Sequence, residues 1–279
     1  FKQLEAMQKD GYRLSAHNGE LGRNPHTRSL IEVKQALLEA FKNGESLKDR
    51  DFACIDLSNQ DLTGIDLEGA YLEQVNFTGA VLNNANLKNA ILAGSNLSRA
   101  SINTADLSGA NLGKVDFSNT SLKNTNLKQA ILGESCFHKT LFSHCDLSQT
   151  AITDASFSEV DFSHSTMNHF SISEQDLSSC RFDHCQLNDA SFTQCQLNHA
   201  SFLEAILIKA SFSQCQSVHA NFHRANLENA RFHEECGFTH ANFSNAILLS
   251  AVFQYANLED SKFDEAEFFM ADFSRSNLQ

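Results

Sequence analysis

A large apolar residue returns at every fifth position through most of this 279-residue chain. The series begins at Phe52 and runs to Phe232 without losing register, and nearly all of its members are Leu or Phe. One residue is then inserted, and the series resumes at Phe238 and reaches Leu278, giving 46 centres in all. An internal repeat of this kind decides the architecture before any single residue does.

A small residue lies two positions before most centres, often with Asp or Asn between them, as in Ala-Asp-Leu-Ser-Gly at 105–109. A period of five fits neither a helix at 3.6 nor a strand at 2. The chain therefore has to turn at every repeat, with the centre and the small residue pointing inward. Over residues 49–279 this motif resembles that of the pentapeptide-repeat family. The resemblance implies an all-β fold, a right-handed quadrilateral β-helix with four repeats per coil.

Four repeats per coil predict that residues twenty apart stack, and the aromatic centres follow this rule. Two columns of Phe are expected on opposite faces of the core, and Leu is expected on the other two. With 46 repeats the solenoid has about 11–12 coils, and a spacing of roughly 4.8 Å gives a rod of about 55 Å. The first Phe column contains Phe142, Phe162, Phe182, Phe202, Phe222, Phe243 and Phe263, and the second Phe192, Phe212, Phe232, Phe253 and Phe273.

Residues 1–48 precede the repeats and are predicted to form a helical segment and cap. Ser29 and Glu32 make a capping-box pattern, and Gly44 is a stop signal. The apolar residues of this helix are Leu30, Val33, Leu37, Leu38 and Phe41. Further upstream we expect a short helix with Phe1, Leu4 and Met7, and then a polar connection over 11–28 containing Pro25.

The two ends of the sequence lead to further expectations. The chain opens on Phe rather than Met, so we expect a piece of a longer protein or a processed one. At the other end the repeats reach Leu278 without a following helix. An uncapped coil offers unpaired backbone groups, which favours a homodimer or a partner at this end.

Composition narrows the function classes. No apolar run is long enough to span a bilayer and no signal-like start is present, so we expect a cytoplasmic protein or a secreted effector. Six of the eight cysteines occupy the inward small position and are predicted to be buried free thiols. Those six are Cys145, Cys180, Cys185, Cys195, Cys215 and Cys236.

The repeats carry 13 basic and 28 acidic residues, a net charge of −15. Such a field opposes direct binding to nucleic acid or anionic lipid and favours a basic partner surface. Among relatives that the motif resembles are acidic rods that look like a DNA duplex and occupy the DNA-binding groove of gyrase. This chain departs from them, because no long loop interrupts its coils and no helical dimerisation module follows Leu278. An acidic surface that only keeps the rod soluble is the alternative.

Two histidine columns point outward, His144, His164 and His184 on one side and His199, His219 and His240 on another. A straight row does not supply the tetrahedral ligands of zinc, so we predict no metal site.

The centre and the small residue of each repeat together fill the interior, so we predict no catalytic residue and no cofactor. Asp66, Asp106 and Asp146 are explained by the repeat motif alone.

Apolar residues at outward positions give the candidate interface. They are Ile206, Ile208, Ile247, Leu249, Phe269 and Met270, and contiguous apolar surface on a rod usually marks an interface. A weaker stripe contains Tyr71, Ile91 and Ile131.

Irregular repeats predict a distorted coil at 167–176, where Phe170 and Gln175 replace small residues, and a bulge at 233–238. Ser217 also stands where a large apolar centre is expected.

We therefore predict a non-catalytic rigid scaffold that binds another protein through its outer faces and C-terminal end. The alternatives are a DNA mimic that protects or inhibits a type II topoisomerase, and an adaptor or effector-targeting module of a bacterial secretion system. The last rests on residues 44–57, whose helix leading into repeats is similar to the C-terminal repeat regions of type VI secretion adaptor-like proteins.

Overall fold

The computed structural model describes residues 29–279. Helix α1 spans Leu30–Lys42, and the predicted capping box is present: the Glu32 amide donates to Ser29 Oγ at 3.3 Å, and the Ser29 amide donates to the Glu32 carboxylate at 3.1 Å. The helix ends at Lys42 and is followed by the C-cap residue Asn43 and by Gly44 with φ +70°. Its buried face is Val33, Leu37 and Ala40, whereas Leu30 is exposed. The predictions for residues 1–28 lie outside the described residues.

The repeats form a right-handed square coil, as expected, with parallel backbone pairing between residues twenty apart. Asp51 pairs with Tyr71, and Asp56 pairs with Asn76. We name the four faces by their first centre: face A starts at Phe52, face B at Leu57, face C at Leu62 and face D at Leu67. Position 51 and its equivalents up to 272 supply twelve rungs on face A, so the rod has between eleven and twelve coils.

Most rungs are single bridges, and eight are long enough to count as three-residue strands. Each strand has a centre in its middle, so one side chain points inward and its two neighbours point outward. All strand pairs are parallel. The strands are β1 (Cys136–His138), β2 (Ser156–Ser158), β3 (Ser171–Ser173), β4 (Ser191–Thr193), β5 (Ser211–Ser213), β6 (Gln216–Val218), β7 (Arg231–His233) and β8 (Gly237–Thr239).

Each corner is built by the fifth residue of the repeat, which adopts a left-handed conformation. Gly64, Gly69 and Gly79 have φ of +74°, +65° and +67°, a region that glycine adopts without strain. Most other corners use non-glycine residues, such as Asn59 at +56°. The turn is closed by a bond such as that from the Ala70 amide to the Leu67 carbonyl at 3.0 Å.

The two predicted Phe columns form the core of the C-terminal half. On face C the Phe202 and Phe222 rings stack at 4.8 Å with planes 2° apart, and on face A Phe192 and Phe212 stack at 5.0 Å. Across the core the columns meet edge to face, with Phe202 and Phe212 at 5.9 Å and 90°. This geometry places the positive edge of one ring on the negative face of another.

Successive parallel backbone pairs form a ladder along each face, and within residues 29–279 this ladder is interrupted at one place. Across the described residues, no backbone pairing joins 151–159 to 171–176 on faces A and B, whereas on face C Asp161 still pairs with Arg181 and face D is also continuous. The buried side chains of Phe170 and Gln175 fill positions that hold Ala, Ser, Thr or Cys in most coils. Overpacked inward positions force the backbone apart. The predicted distortion is confirmed, and it reaches back to residue 151.

The predicted bulge is also present. Glu234 and Glu235 both have left-handed backbone, with φ of +56° and +62°. The pairing step changes from 20 to 21 residues for one turn, as between Gln216 and Gly237, and returns to 20 between Gly237 and Asn257. One extra corner residue is therefore absorbed without loss of the ladder.

Candidate protein-interaction surfaces

The interior of the rod is filled by packed side chains, and the thiols among them have low reactivity. The six inward cysteines are buried, and all eight cysteines are free thiols. Inward thiols and hydroxyls donate to carbonyls of the preceding coil, as Cys185 Sγ does to the Phe162 carbonyl at 2.9 Å. Burial raises the pKa of Cys145, Cys180 and Cys185 to about 12. Because the thiolate is the reactive form, these thiols have a packing role.

The acidic residues of face D serve the ladder, as expected from the motif. Asn86 Nδ2 donates to Asp66 Oδ1 at 3.0 Å, and Asn126 Nδ2 donates to Asp106 Oδ1 at 3.1 Å. Asp106 Oδ1 also accepts from the Ser108 amide two residues later at 2.9 Å. Both partners follow from the repeat, so these carboxylates stabilise corners and rungs and do not form an acid–base pair.

The histidine columns lie outward at left-handed corners. His144, His164 and His184 stack with ring centroids 4.6 and 4.5 Å apart. His199, His219 and His240 form a looser stack at 5.3 and 4.9 Å. His is one of the residue types that tolerate this backbone region, which accounts for their position. Within residues 29–279 no group of three or more His, Cys, Asp and Glu side chains is arranged to hold a metal ion.

The pKa of His164 lies below its ordinary value. Desolvation is the largest cause, and the neighbouring His184 and His144 rings add repulsion between charges. Asp161 and Asp183 act in the opposite direction. The pKa of His164 therefore depends on the charge of the two rings that stack on it.

The candidate apolar stripe lies on face D, but it is divided into two pieces. Ile206 is followed along its row by Asn226, and Ile208 is followed by Glu228, before Ile247 is reached. Ile206 is 39 % exposed and Ile208 is partly buried. The sequence spacing placed these residues on one face correctly but did not show that a polar rung separates them.

The second piece is the larger apolar surface, and we call it the C-terminal patch. It consists of Leu249, Phe269 and Met270, with Ile247 beside them. Leu249 and Phe269 lie on successive rungs, since the Ser250 amide donates to the Phe269 carbonyl at 2.9 Å. Phe269 is 76 % exposed and Met270 is 73 % exposed. Burying such side chains typically gains about 1.5–3 kcal/mol each.

The last coil adds an apolar hollow next to this patch. Its volume is about 380 Å³, and it is lined by Phe263, Phe268, Ala271, Phe273 and Leu278. Phe268 and Leu278 are themselves exposed. Hollow and patch together make the end of the described rod apolar, although its outer sides are acidic.

The weaker stripe near the other end is packed and not open. Ile91 is fully buried against Ala93 and Tyr71, and Ile131 is partly buried.

A polar hollow of about 360 Å³ lies at the bulge, lined by Gln214, Gln216, Glu234 and Glu235. The Glu234 carboxylate already has a partner, as Ser213 Oγ donates to it at 2.5 Å.

Sequence reasoning predicted the distortion in the middle of the rod but did not treat it as a surface. At this break the centre Phe157 is only partly buried, unlike the centres of regular coils. Residues 151–176 contain five acidic residues and no Lys or Arg. The signal in the sequence was the pair Phe170 and Gln175 together with this charge.

The chain was compared with protein families. A model described as pentapeptide repeats (8 copies) matches residues 51–89, 70–109, 80–119 and 110–149. A model described as a pentapeptide repeat region matches residues 173–236 and 187–263. No curated protein matches the sequence. Within residues 29–279, none of the helices has the length and apolar character needed to cross a membrane.

Several solved structures are similar to the chain. HetL, a pentapeptide repeat protein involved in heterocyst differentiation regulation from the cyanobacterium Nostoc sp. strain PCC 7120, is 21 % identical, with 86 % of this chain and 94 % of that chain covered and a TM-score of 0.24. Rfr23 from the cyanobacterium Cyanothece 51142 is 22 % identical over 44 % and 93 %, with a TM-score of 0.30. QnrB1, a plasmid-mediated fluoroquinolone resistance protein, is 16 % identical over 78 % and 93 %, with a TM-score of 0.26. At these identities the likeness concerns the fold alone.

Proposed function

The chain belongs to the pentapeptide-repeat family, and we propose that it is a non-catalytic rigid scaffold that binds another protein through the C-terminal patch. The patch is the observation that supports this function. Phe269 and Met270 are exposed next to an apolar hollow, on a rod whose other large apolar side chains are mostly inward. Contiguous apolar surface of this kind is typical of an interface.

The shape of the rod supports the same function. Each coil packs only against its neighbours, so the outer faces are long, regular and held rigidly by a continuous core. Centres such as Leu207 and Phe212 are fully buried and fill the interior. A solid core provides a surface for recognition and no enclosed volume for a substrate.

The test compares the wild-type protein with a patch variant in two measurements, the capture of a partner and the molecular mass in solution. We expect the wild-type protein to retain a partner, or a second copy of itself, at high salt, because apolar contacts are not screened by ions. Leu249→Asp with Phe269→Asp should abolish this complex without unfolding the rod. Val218→Asp with Ile31→Asp is the matched control, since both residues are exposed and lie off the patch. An unchanged complex in the patch variant would refute the proposal.

A second candidate function is DNA mimicry toward a type II topoisomerase. The observation that favours it is the net charge of −15 in the repeats, which matches a basic groove better than an apolar one. This function predicts binding to gyrase that is lost as salt rises, together with altered DNA supercoiling. Salt-tolerant binding through the C-terminal patch, with supercoiling unaffected, would favour the scaffold.

A further inference from the structure

The break in the ladder leaves polar backbone groups without the partners that they have in every regular coil. In the preceding coil the Leu132 amide donates to the Ala151 carbonyl and the Glu134 amide to the Thr153 carbonyl, each at 2.8 Å. Within residues 29–279, the equivalent amides of Ile152, Asp154, Phe157 and Glu159 make no such bond to the following coil. Four neighbouring donors therefore lie along an unpaired strand edge on faces A and B, where Ile152 is buried and Asp154 and Glu159 are exposed.

This open edge has an apolar element beside its polar groups. Phe157 is the middle residue of β2 and is only partly buried, while its partner ring on β1, Phe137, is buried at a centroid distance of 5.3 Å. The small residues Ala151 and Ala155 flank the edge and are also accessible. An extended backbone that approached here would find donors, acceptors and an aromatic contact together.

The charged side chains that flank the break are mostly acidic. Asp154, Glu159, Glu174 and Asp176 are all exposed. Glu159 faces Lys139 at 3.7 Å, but within residues 29–279 no ion pair is formed by Asp154, Glu174 or Asp176. The carboxylates flank both sides of the opening, so the charge complement of this site is a cationic segment.

We propose that the break is a docking site for an extended, lysine- or arginine-rich peptide segment of a partner protein. The segment adds a short strand to the open edge of β2, with main-chain hydrogen bonds to the Phe157 and Glu159 amides. This is the strand-addition mode, in which backbone bonds give affinity and side chains give specificity. One apolar side chain of the peptide packs on Phe157, and its cationic side chains lie against Asp154, Glu174 and Asp176. This surface is separate from the C-terminal patch.

The first test uses a defined probe on the wild-type protein. The probe is a fluorescein-labelled peptide of alternating residues, acetyl-Lys-Val-Lys-Val-Lys-Val-Lys-amide. We expect saturable binding at 0.15 M salt, where the screening length is about 8 Å and general attraction to an acidic rod is weak. Bound peptide should slow hydrogen exchange at Ile152, Asp154, Phe157 and Glu159. Binding without protection of these amides, or no binding, would overturn the proposal.

Two variants separate docking from general charge attraction. Phe170→Ala with Gln175→Ala restores small residues, closes the ladder and should weaken the peptide at least tenfold while leaving every charge in place. Glu174→Lys with Asp176→Lys should weaken it by a similar factor. The matched control, Glu259→Lys with Glu265→Lys, makes the same charge change elsewhere and should have little effect.

The experiments also distinguish this proposal from the scaffold function. The patch variant Leu249→Asp with Phe269→Asp should bind the peptide normally, so a negative result at one surface does not decide about the other. If the closing variant does not fold, the charge-reversal pair and the protection experiment still decide. Equal loss of affinity in Glu259→Lys with Glu265→Lys would show attraction to the whole rod and would refute a site at the break.

Discussion

Residues 51–150 and residues 177–279 build the same coil from different side chains. In the first half the centres of face A after Phe52 are Leu72, Leu92, Leu112 and Leu132, whereas in the second half faces A and C carry two stacks of Phe. The ring separation of 4.5–5.1 Å within these stacks is close to the rung spacing. The backbone therefore accommodates either kind of centre without changing its period.

The coil accommodates Ile55 and Ile65 at the small inward position without losing a rung, but it does not accommodate Phe170 and Gln175 there. At the break the centres Met167, Ile172 and Leu177 are regular, yet the ladder opens where Phe170 and Gln175 replace small residues. The opposite irregularity has no such effect. Ser217 replaces a large centre, but Gln216 and Val218 stay paired, and Ser217 Oγ donates to the Leu197 carbonyl at 2.8 Å. The side chain at the small position thus bears on the continuity of the ladder more than the centre does.

Truncating one centre in each half should give the largest effects. We expect Phe212→Ala to lower the free energy of unfolding by about 3–5 kcal/mol, and Leu112→Ala by about 2–5 kcal/mol with a smaller central value. Phe212 also loses contacts to stacked and edge-on rings, among them Phe192 and Phe202. Urea unfolding followed by circular dichroism measures both. A larger loss for Leu112→Ala would contradict the difference between the halves, and Phe212→Leu controls for the aromatic contribution.

Placing a large side chain in a regular small position should reproduce the break. Ala210→Phe is expected to destabilise the rod by about 1–3 kcal/mol through overpacking. It should also speed hydrogen exchange at the rung amides beside it, such as that of Ser211. Ser217→Leu, which changes a centre instead, is the comparison and should leave exchange at neighbouring rungs slow. Equal opening in both variants would show that centre and small position matter alike.

Thiol labelling should report the two halves separately. Cys54 is exposed and Cys136 is partly buried, so a thiol reagent should modify Cys54 first. Cys145 lies before the break and Cys180 after it, and burial raises the pKa of each to about 12. Both should react only on opening, more than about 100-fold slower than Cys54. In rising urea, labelling of Cys145 and Cys180 at different midpoints would show that the break divides the rod.

The smallest expected effect concerns the histidine row that crosses the break on the continuous side. The lowered pKa of His164 means that the folded protein binds fewer protons there than the unfolded chain just below pH 6.5. Stability from this group is complete above that pH and falls as pH decreases through it, by a small amount because the ring is exposed. Titration followed by NMR should show the pKa of His164 rising in the variant His144→Asn with His184→Asn. No change would indicate that the rings do not interact.

The sequence predicted the coil, its Phe columns, the capping helix, the buried thiols and both irregular sites, because a strict period makes every residue report its own position. It did not show that Asn226 and Glu228 divide the apolar stripe, because spacing alone does not say what lies on the rung between. Nor did it show how far the distortion spreads, since Phe170 and Gln175 open the coil toward residues 151–159, which themselves look regular. Leu30 is one of the apolar residues predicted for α1, but it is exposed. The candidate interface residues remain a prediction for the patch experiment.

We claim above all that the buried side chains of Phe170 and Gln175 at small inward positions open the ladder. Hydrogen exchange resolved to single residues tests it, in the wild-type protein and in Phe170→Ala with Gln175→Ala. We predict that the amides of Ile152 and Asp154 exchange rapidly in the wild-type protein and become as protected as those of Leu132 and Glu134 in the variant. Rapid exchange at Ile152 and Asp154 in a folded variant would contradict the claim.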